Sequence, residues 1–189
     1  ISLRNGIHAA ATGHYSNPLW FDEADVLLDG QLEQVQAART KLQAAKKPQT
    51  ADDIVAALTF GFWVSLFNSP FELPLPPAPP GRLAWHDAQS RPSALFEAAF
   101  PNAPKRTRVR RRMSQRCNKI LRLRNRVMHH EPVWKNTNLA QTHGEILETV
   151  GWISPTMRSA IALCDDFPVV LAGGKPGIEA KIKNHLGIT

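Results

Sequence analysis

The sequence predicts an all-α fold, on three observations. Apolar residues recur at spacings of three, four and seven through most of the chain, while strand-like alternation bounded by turns is nearly absent. Proline marks the stops: six of the fifteen lie between residues 70 and 81, and others follow the periodic stretches at Pro101 and Pro132. A length of 189 residues with 43% hydrophobic and 21% charged side chains suits one packed domain and excludes disordered, collagenous and disulfide-rich compositions.

Ile1 to Ala11 reads as a helix ending before Gly13, with a turn at Asn17-Pro18. Asp22 to Lys47, rich in Leu, Gln, Ala and Lys, reads as one or two helices. Thr50 followed by Asp52 and Asp53 is a helix start, since a Thr cap satisfies free N–H groups and acids suit the positive end of the helix dipole. The helix it opens, Ile54 to Phe67, is apolar nearly all round and belongs in the core. PFELPLPPAPPG then forms an extended connection, with a ligand for an aromatic-lined groove as the alternative reading of PLPPAPP. Ser93 to Phe100 is a short helix, Thr107 to His130 a long one, and Leu139 to Trp152 and Ser154 to Asp166 two more. A Gly-Gly turn at 173 and 174 precedes a last short helix, Ile178 to Leu186. The expected organisation is a single domain over 1–168, with the Pro-rich loop 69–81 inside it, and a tail over 169–189. The five tryptophans are spaced as core and interface anchors.

Formal charge is +7, and it is not spread evenly. Eleven of the 23 Lys and Arg lie between Lys105 and Arg126, and no acid occurs from Ala98 to His130. The remainder holds 12 basic against 16 acidic residues, a net of −4 beside a segment of +11. A basic stretch this free of acids attracts phosphates. Cys117 and Cys164 fit neither a disulfide framework nor a metal spacing. The longest apolar run, LTFGFWVSLF, is about half of what a spanning helix needs. With no charged-then-apolar signal segment in view, a cytoplasmic protein with no membrane partner is expected, a few residues having preceded Ile1.

Within the long basic helix, Val109, Met113, Cys117, Ile120, Leu121, Val127 and Met128 form an apolar stripe expected to pack inward. Arg124 falls in that stripe, and a guanidinium there must find acceptors or an anion, because an unpaired buried charge costs several kcal/mol. A structural clamp and a phosphate site are both open for it. Arg110, Arg111, Arg112, Arg116, Arg122 and Arg126, with Arg108 and Lys119, read as a basic face for a nucleic-acid backbone. His129 and His130 close the helix as the groups able to exchange protons near neutral pH. Arginine plus histidine on a basic surface suffices for phosphodiester cleavage: histidine takes a proton from a ribose 2′-OH or gives one to the leaving 5′-oxygen, and guanidinium holds the extra charge on phosphorus. With the 2′-OH as nucleophile no metal or other cofactor is required, and the substrate is RNA.

LRLRNRVMHHEPVW, Leu121 to Trp134, resembles the signature of the HEPN superfamily, an arginine followed by a polar residue, often Asn, with a histidine four to six residues on. HHEP and the upstream LTFGFWVSLF resemble more narrowly its Abi-like (abortive infection) branch, the likeness covering about Ala51 to Cys164, with a weaker echo in Leu3-Arg4-Asn5. The resemblance implies an up-and-down helical bundle and a metal-independent endoribonuclease, a phage-defence protein or toxin acting as a homodimer whose two motifs face one cleft. It implies Arg124 as phosphate or transition-state binder, His129 as proton-transfer residue and Asn125 as the intervening polar residue, with His130 at an allowed spacing. An antitoxin or activating protein is a further implied partner, although the tyrosine two residues after the histidine that some relatives adenylylate is replaced by Glu131. A non-catalytic nucleic-acid-binding or dimeric scaffold module using residues 105–126 is the alternative. Residues five apart lie roughly 140° apart around a helix. Arg124 and His129 therefore meet only if the last turn is distorted or if the pair is completed across a dimer, whereas Arg126 and His130 share a face.

Weaker constellations carry less. His130-Glu131 lacks the second histidine of HExxH, His143-x-Glu145 lacks a PCxxC partner, and Gly173-Gly174-Lys175 runs into Pro176 where a phosphate loop needs Ser or Thr. His8, His14, His86 and His185 read as ordinary surface or packed histidines.

Overall fold

The computed structural model describes residues 1–74, 81–133 and 138–188. The described residues are predominantly helical and contain no strand, only an isolated antiparallel bridge between His86 and Pro92. Most of the Pro-rich loop, with all of the PLPPAPP motif after Pro74, lies outside the described residues, as does Trp134.

Helix α1, Ser2–Tyr15, runs a turn further than its sequence suggests, because Gly13 meets only open space and Tyr15 is anchored. The Tyr15 hydroxyl donates to the Gly81 carbonyl (3.2 Å) and its ring stacks on Trp20 at 6.4 Å, so the helix continues until Ser16 turns left-handed. Gly6 lets α1 lie close to its neighbours; a Cβ there would stand 3.3 Å from the Ala99 carbonyl and 3.0 Å from Ile153. His8 accepts from the Trp20 indole N–H (3.1 Å). Burial first, then Arg4, pushes its pKa down. The stretch 22–47 resolves into a short 3₁₀ turn, Trp20–Asp22, and α2, Asp29–Ala44. Between them Val26 and Leu27 turn inward, and Val26 accepts from the Leu83 amide.

Thr50 caps α3, Ala51–Ala57, as expected, in a full capping box: its hydroxyl accepts from the Asp53 amide while the Asp53 carboxylate accepts from the Thr50 amide. The single apolar helix expected over 54–67 is instead two, since α4, Phe60–Ser65, starts afresh after Leu58 goes extended. The cause is Thr59, whose hydroxyl accepts from the Phe62 amide (3.2 Å) and so offers the backbone an N-cap in place of continued helix. The break aims Phe62, Trp63, Leu66 and Phe67 into one core.

That core is aromatic. Trp20, Trp63 and Trp85 are buried with Phe21, Phe62, Phe67, Phe71, Phe96 and Phe100. Trp85 sits at its centre, stacked on Phe67 at 4.5 Å and edge-on to Phe96 at 5.4 Å. Its indole N–H donates to the Leu66 carbonyl (2.6 Å), which removes the cost of burying a polar atom. Trp152 is buried as well, so the four described tryptophans are the anchors their spacing suggested.

Ser93 caps α5, Ala94–Ala99, by accepting from the Phe96 amide (3.2 Å), and α5 packs on α1. A 3₁₀ turn, Lys105–Thr107, leads into α6, Arg110–Met128. Then follow α7, Leu139–Ile153, α8, Pro155–Ala162, and the helical segment α9, Phe167–Leu186. Gly174, at φ 53°, breaks α9 where the Gly-Gly turn was expected, but helix begins at Phe167 rather than Ile178. Among the described residues α9 buries no side chain. No described helix is long and apolar enough to cross a membrane.

Candidate functional site

Helix α6 is embedded at one end and bare at the other. Arg110, Met113 and Cys117 are buried, Ile120 and Leu121 are half-buried, and Arg124, Val127 and Met128 are exposed. Arg110, Met113, Cys117 and Arg124 lie within roughly 60° of one line along the helix. The stripe is real, but the protein body ends before it does. The expected inward face is thus corrected for Val109, at 37% exposure, and for Val127 and Met128, which overhang.

The clamp considered for Arg124 is built at Arg110 instead. One Arg110 Nη donates to the Phe67 carbonyl (2.7 Å) and the other meets the Glu72 carboxylate at 3.0 Å, tying the start of α6 to the end of α4. Arg110 is therefore removed from the nucleic-acid face, because it is only 8% exposed and both of its Nη groups are engaged, its Nε being buried without a partner among the described residues. Replacing it with Ala should cost about 3 kcal/mol in chemical unfolding, since the Phe67 carbonyl loses a charged partner and a cavity opens. Lysine should recover little, a single ammonium being unable to reach both acceptors.

Other cations of the basic segment are also engaged. Arg108 meets Glu97 at 2.8 Å and donates to the Ala103 and Pro101 carbonyls, locking the connection from α5 to α6. Arg116 meets Glu148 at 2.6 Å with its guanidinium over the Trp152 ring at 4.3 Å, and Lys119 meets Glu145 at 3.1 Å. These three stitch the body to α6, so their charge is already partnered. Arg126 donates to the Pro132 carbonyl (3.0 Å) and lies 3.4 Å from Glu131, holding the chain that leaves the helix. An acid-free stretch of sequence is not an acid-free surface: Glu72, Glu97, Glu145 and Glu148 reach it from elsewhere. Without an acid partner among the described residues are Lys105, Arg106, Arg111 and Arg112 at one end, and Arg122 and Arg124 at the other. Arg111 and Arg122, eleven apart, share a face.

At the bare end Arg124 donates to the Asn125 side-chain oxygen (3.2 Å). The same neighbour bond recurs in the sequence echo, from Arg4 to Asn5 (3.1 Å). The helix is regular through Met128, so Arg124 and His129 stay on different faces of one chain, and no hydrogen bond joins them. His129 is the C-cap. His130 is left-handed at φ 57°, its amide donating to Val127 and the Glu131 amide donating to Arg126. This is a Schellman motif with histidine where glycine is usual. His130 thus stands outside the helix, and the shared face expected for it with Arg126 does not form. Both imidazoles are exposed, without a hydrogen bond among the described residues.

His130→Gly should keep or raise stability by up to about 1 kcal/mol, because glycine adopts this conformation without strain, whereas His130→Val should lower it. Thermal melts of both variants check this.

Cys117 is buried on the inner face of α6, which pushes its thiol up to about 12 and makes it an inert packing residue, while Cys164 is exposed. Among the described residues no group of three His, Cys, Asp or Glu side chains is placed to hold a metal ion. Of the remaining histidines, His143 pairs with Asp165 (2.8 Å) and stacks on Phe167, which fastens the start of α9 to α7. Comparison of the chain with family models, with curated proteins and with solved structures gives no match.

Proposed function

We propose that the protein is an RNA-cleaving enzyme of HEPN type, with Arg124 and His129 as its reacting groups and Asn125 orienting the arginine. One observation carries the reading: five of the eleven cations of the basic segment are tied to acids, whereas Arg122, Arg124, His129 and His130 are exposed together at a helix end without acid partners among the described residues. Fixed structural pairs would disable a site that must receive a phosphodiester, and here the groups chemistry requires are left open.

The ribose 2′-oxygen attacks phosphorus and the bond to the 5′-oxygen breaks, giving a 2′,3′-cyclic phosphate and a 5′-hydroxyl. One proton leaves the 2′-OH and one reaches the 5′-oxygen; His129 serves one of these transfers and solvent water the other, while Arg124 holds the charge that builds on the non-bridging oxygens. Since α6 is regular to its end, the two groups are supplied to one phosphate by two copies of the chain, the overhanging halves of two α6 helices facing each other. Val127 and Met128, both more than half exposed, are the apolar surface such an approach would cover. Arg111, Arg112 and Arg122 track the rest of the backbone. The biological setting that fits is phage defence or toxicity, with a protein partner controlling activity.

The test is incubation of purified protein with labelled RNA in EDTA. Cyclic-phosphate products support the reading. Intact RNA that is nevertheless bound, with affinity falling steeply as salt rises, would assign the basic segment to a non-catalytic binding or scaffold role.

A further inference from the structure

The opposite end of α6 carries a second cleft that cleavage does not use. It has a volume of about 320 Å³ and lies between the Ser69–Phe71 turn, the loop closed by the His86–Pro92 bridge, and the Lys105–Val109 approach to α6. Leu73, His86, Ser90, Lys105, Arg106 and Val109 line it. Nineteen residues of helix put it roughly 28 Å from His129.

Four observations distinguish it from an ordinary surface dent. Lys105 and Arg106 have no ion-pair partner among the described residues, while the two other charges that line the cleft are settled: Arg108 is held by Glu97, and Glu72 by Arg110. The Arg106 carbonyl accepts from Arg112 (2.8 Å), which fixes the turn that presents both free cations. His86 is 94% buried, yet its imidazole makes no hydrogen bond among the described residues and borders the cleft. Its ring nitrogens keep contact with solvent and are free to meet a ligand there. Leu73 and Val109, at 40% and 37% exposure, are apolar side chains left open on the same wall.

We propose that this cleft binds the terminal phosphate of a nucleotide. Lys105 and Arg106 meet the phosphate, an imidazole N–H of His86 donates to the ligand, and Leu73 and Val109 cover its base or sugar. The volume is at the lower end of small-molecule sites and admits one nucleotide rather than a strand. The ligand has two possible sources, a free mononucleotide or the 5′-phosphorylated end of an RNA. The assignment stands on its own lining and does not require that the other end of α6 cleave RNA.

Calorimetric titration of the full chain tests it, with AMP, adenosine and inorganic phosphate as probes. AMP should saturate, with adenosine at least about tenfold weaker. A Lys105→Ala/Arg106→Ala double variant should lose at least about tenfold in AMP affinity, His86→Phe should also weaken binding, and Lys181→Ala, which removes an exposed cation far along the chain from either site, should leave it unchanged. A 2′-O-methyl pentanucleotide, which cannot be cleaved by 2′-OH attack, separates the sources. Displacement of AMP by its 5′-phosphorylated form, and not by its 5′-hydroxyl form, assigns the site to an RNA end, and no displacement by either assigns it to the free nucleotide. No saturable AMP binding up to about 10 mM, or binding undiminished in the double variant, overturns the proposal. Because Lys105 and Arg106 are exposed, the double variant should remain folded, which circular dichroism verifies.

Discussion

Arg124→Ala and His129→Ala should each lower RNA cleavage by two to three orders of magnitude while leaving the melting temperature nearly unchanged. Both side chains are exposed and neither anchors a neighbouring element, so stability should move by no more than about 0.5 kcal/mol. Loss of a guanidinium aimed at a developing oxyanion costs about 10²–10³ in rate, and loss of a proton-transfer group about 10²–10⁴. The double variant should be scarcely worse than either single one, because the groups act on the same step. Mixing the two inactive variants adds a sharper measurement. If one phosphate is served by Arg124 of one copy and His129 of another, random pairing rebuilds a complete site in half the dimers. About a quarter of the wild-type activity should then return. Failure of the mixture to regain activity, with both variants folded and dimeric, would place the pair within one chain and contradict the regular end of α6. His130→Gly belongs in the same series: full activity in that variant assigns proton transfer to His129 and leaves His130 as a cap.

Trp85→Ala should produce the largest loss of stability, about 4 kcal/mol, or roughly 12 °C in a chain of this size. The indole is fully buried, contacts Phe67, Phe96 and Phe100, and donates to Leu66. Truncation removes the ring contacts, leaves a cavity and orphans a buried carbonyl. Val127→Ala is the matching control. At 52% exposure it should shift the melt by less than a tenth as much, though it would weaken association if the overhanging half of α6 is covered by a second copy.

The helical character of the chain, the cap at Thr50, the start of the short helix at Ser93 and the turn at Gly174 were all legible in sequence, because each rests on residues within a few positions of one another. The split at Leu58 was less so. Thr59 carries the cap signal, but an apolar run on both sides outweighs it in any periodicity reading. Arg110 shows a different limit. Its stripe position equals that of Arg124, and only the placement of Phe67 and Glu72, some forty residues earlier, makes one a clamp and leaves the other in water. The same holds for Arg108, Arg116 and Lys119, whose charge is cancelled by acids beyond the basic segment. Sequence located the charge, but it could not show how much of it was already satisfied. A lone histidine such as His86 reads only as a packed or surface residue until its neighbours are known.

The uneven embedding of α6 has a consequence for motion. Amides from Met113 to Cys117, on the turns whose buried side chains reach the core, should exchange with deuterium slowest, whereas those beyond Leu121 hold little more than their own helical bonds. Exchange along this one helix should therefore quicken steeply from Met113 toward Met128. Anything seated against the outer turns, an RNA strand or a second copy, would appear first as slowed exchange there, so the helix reports its own occupancy.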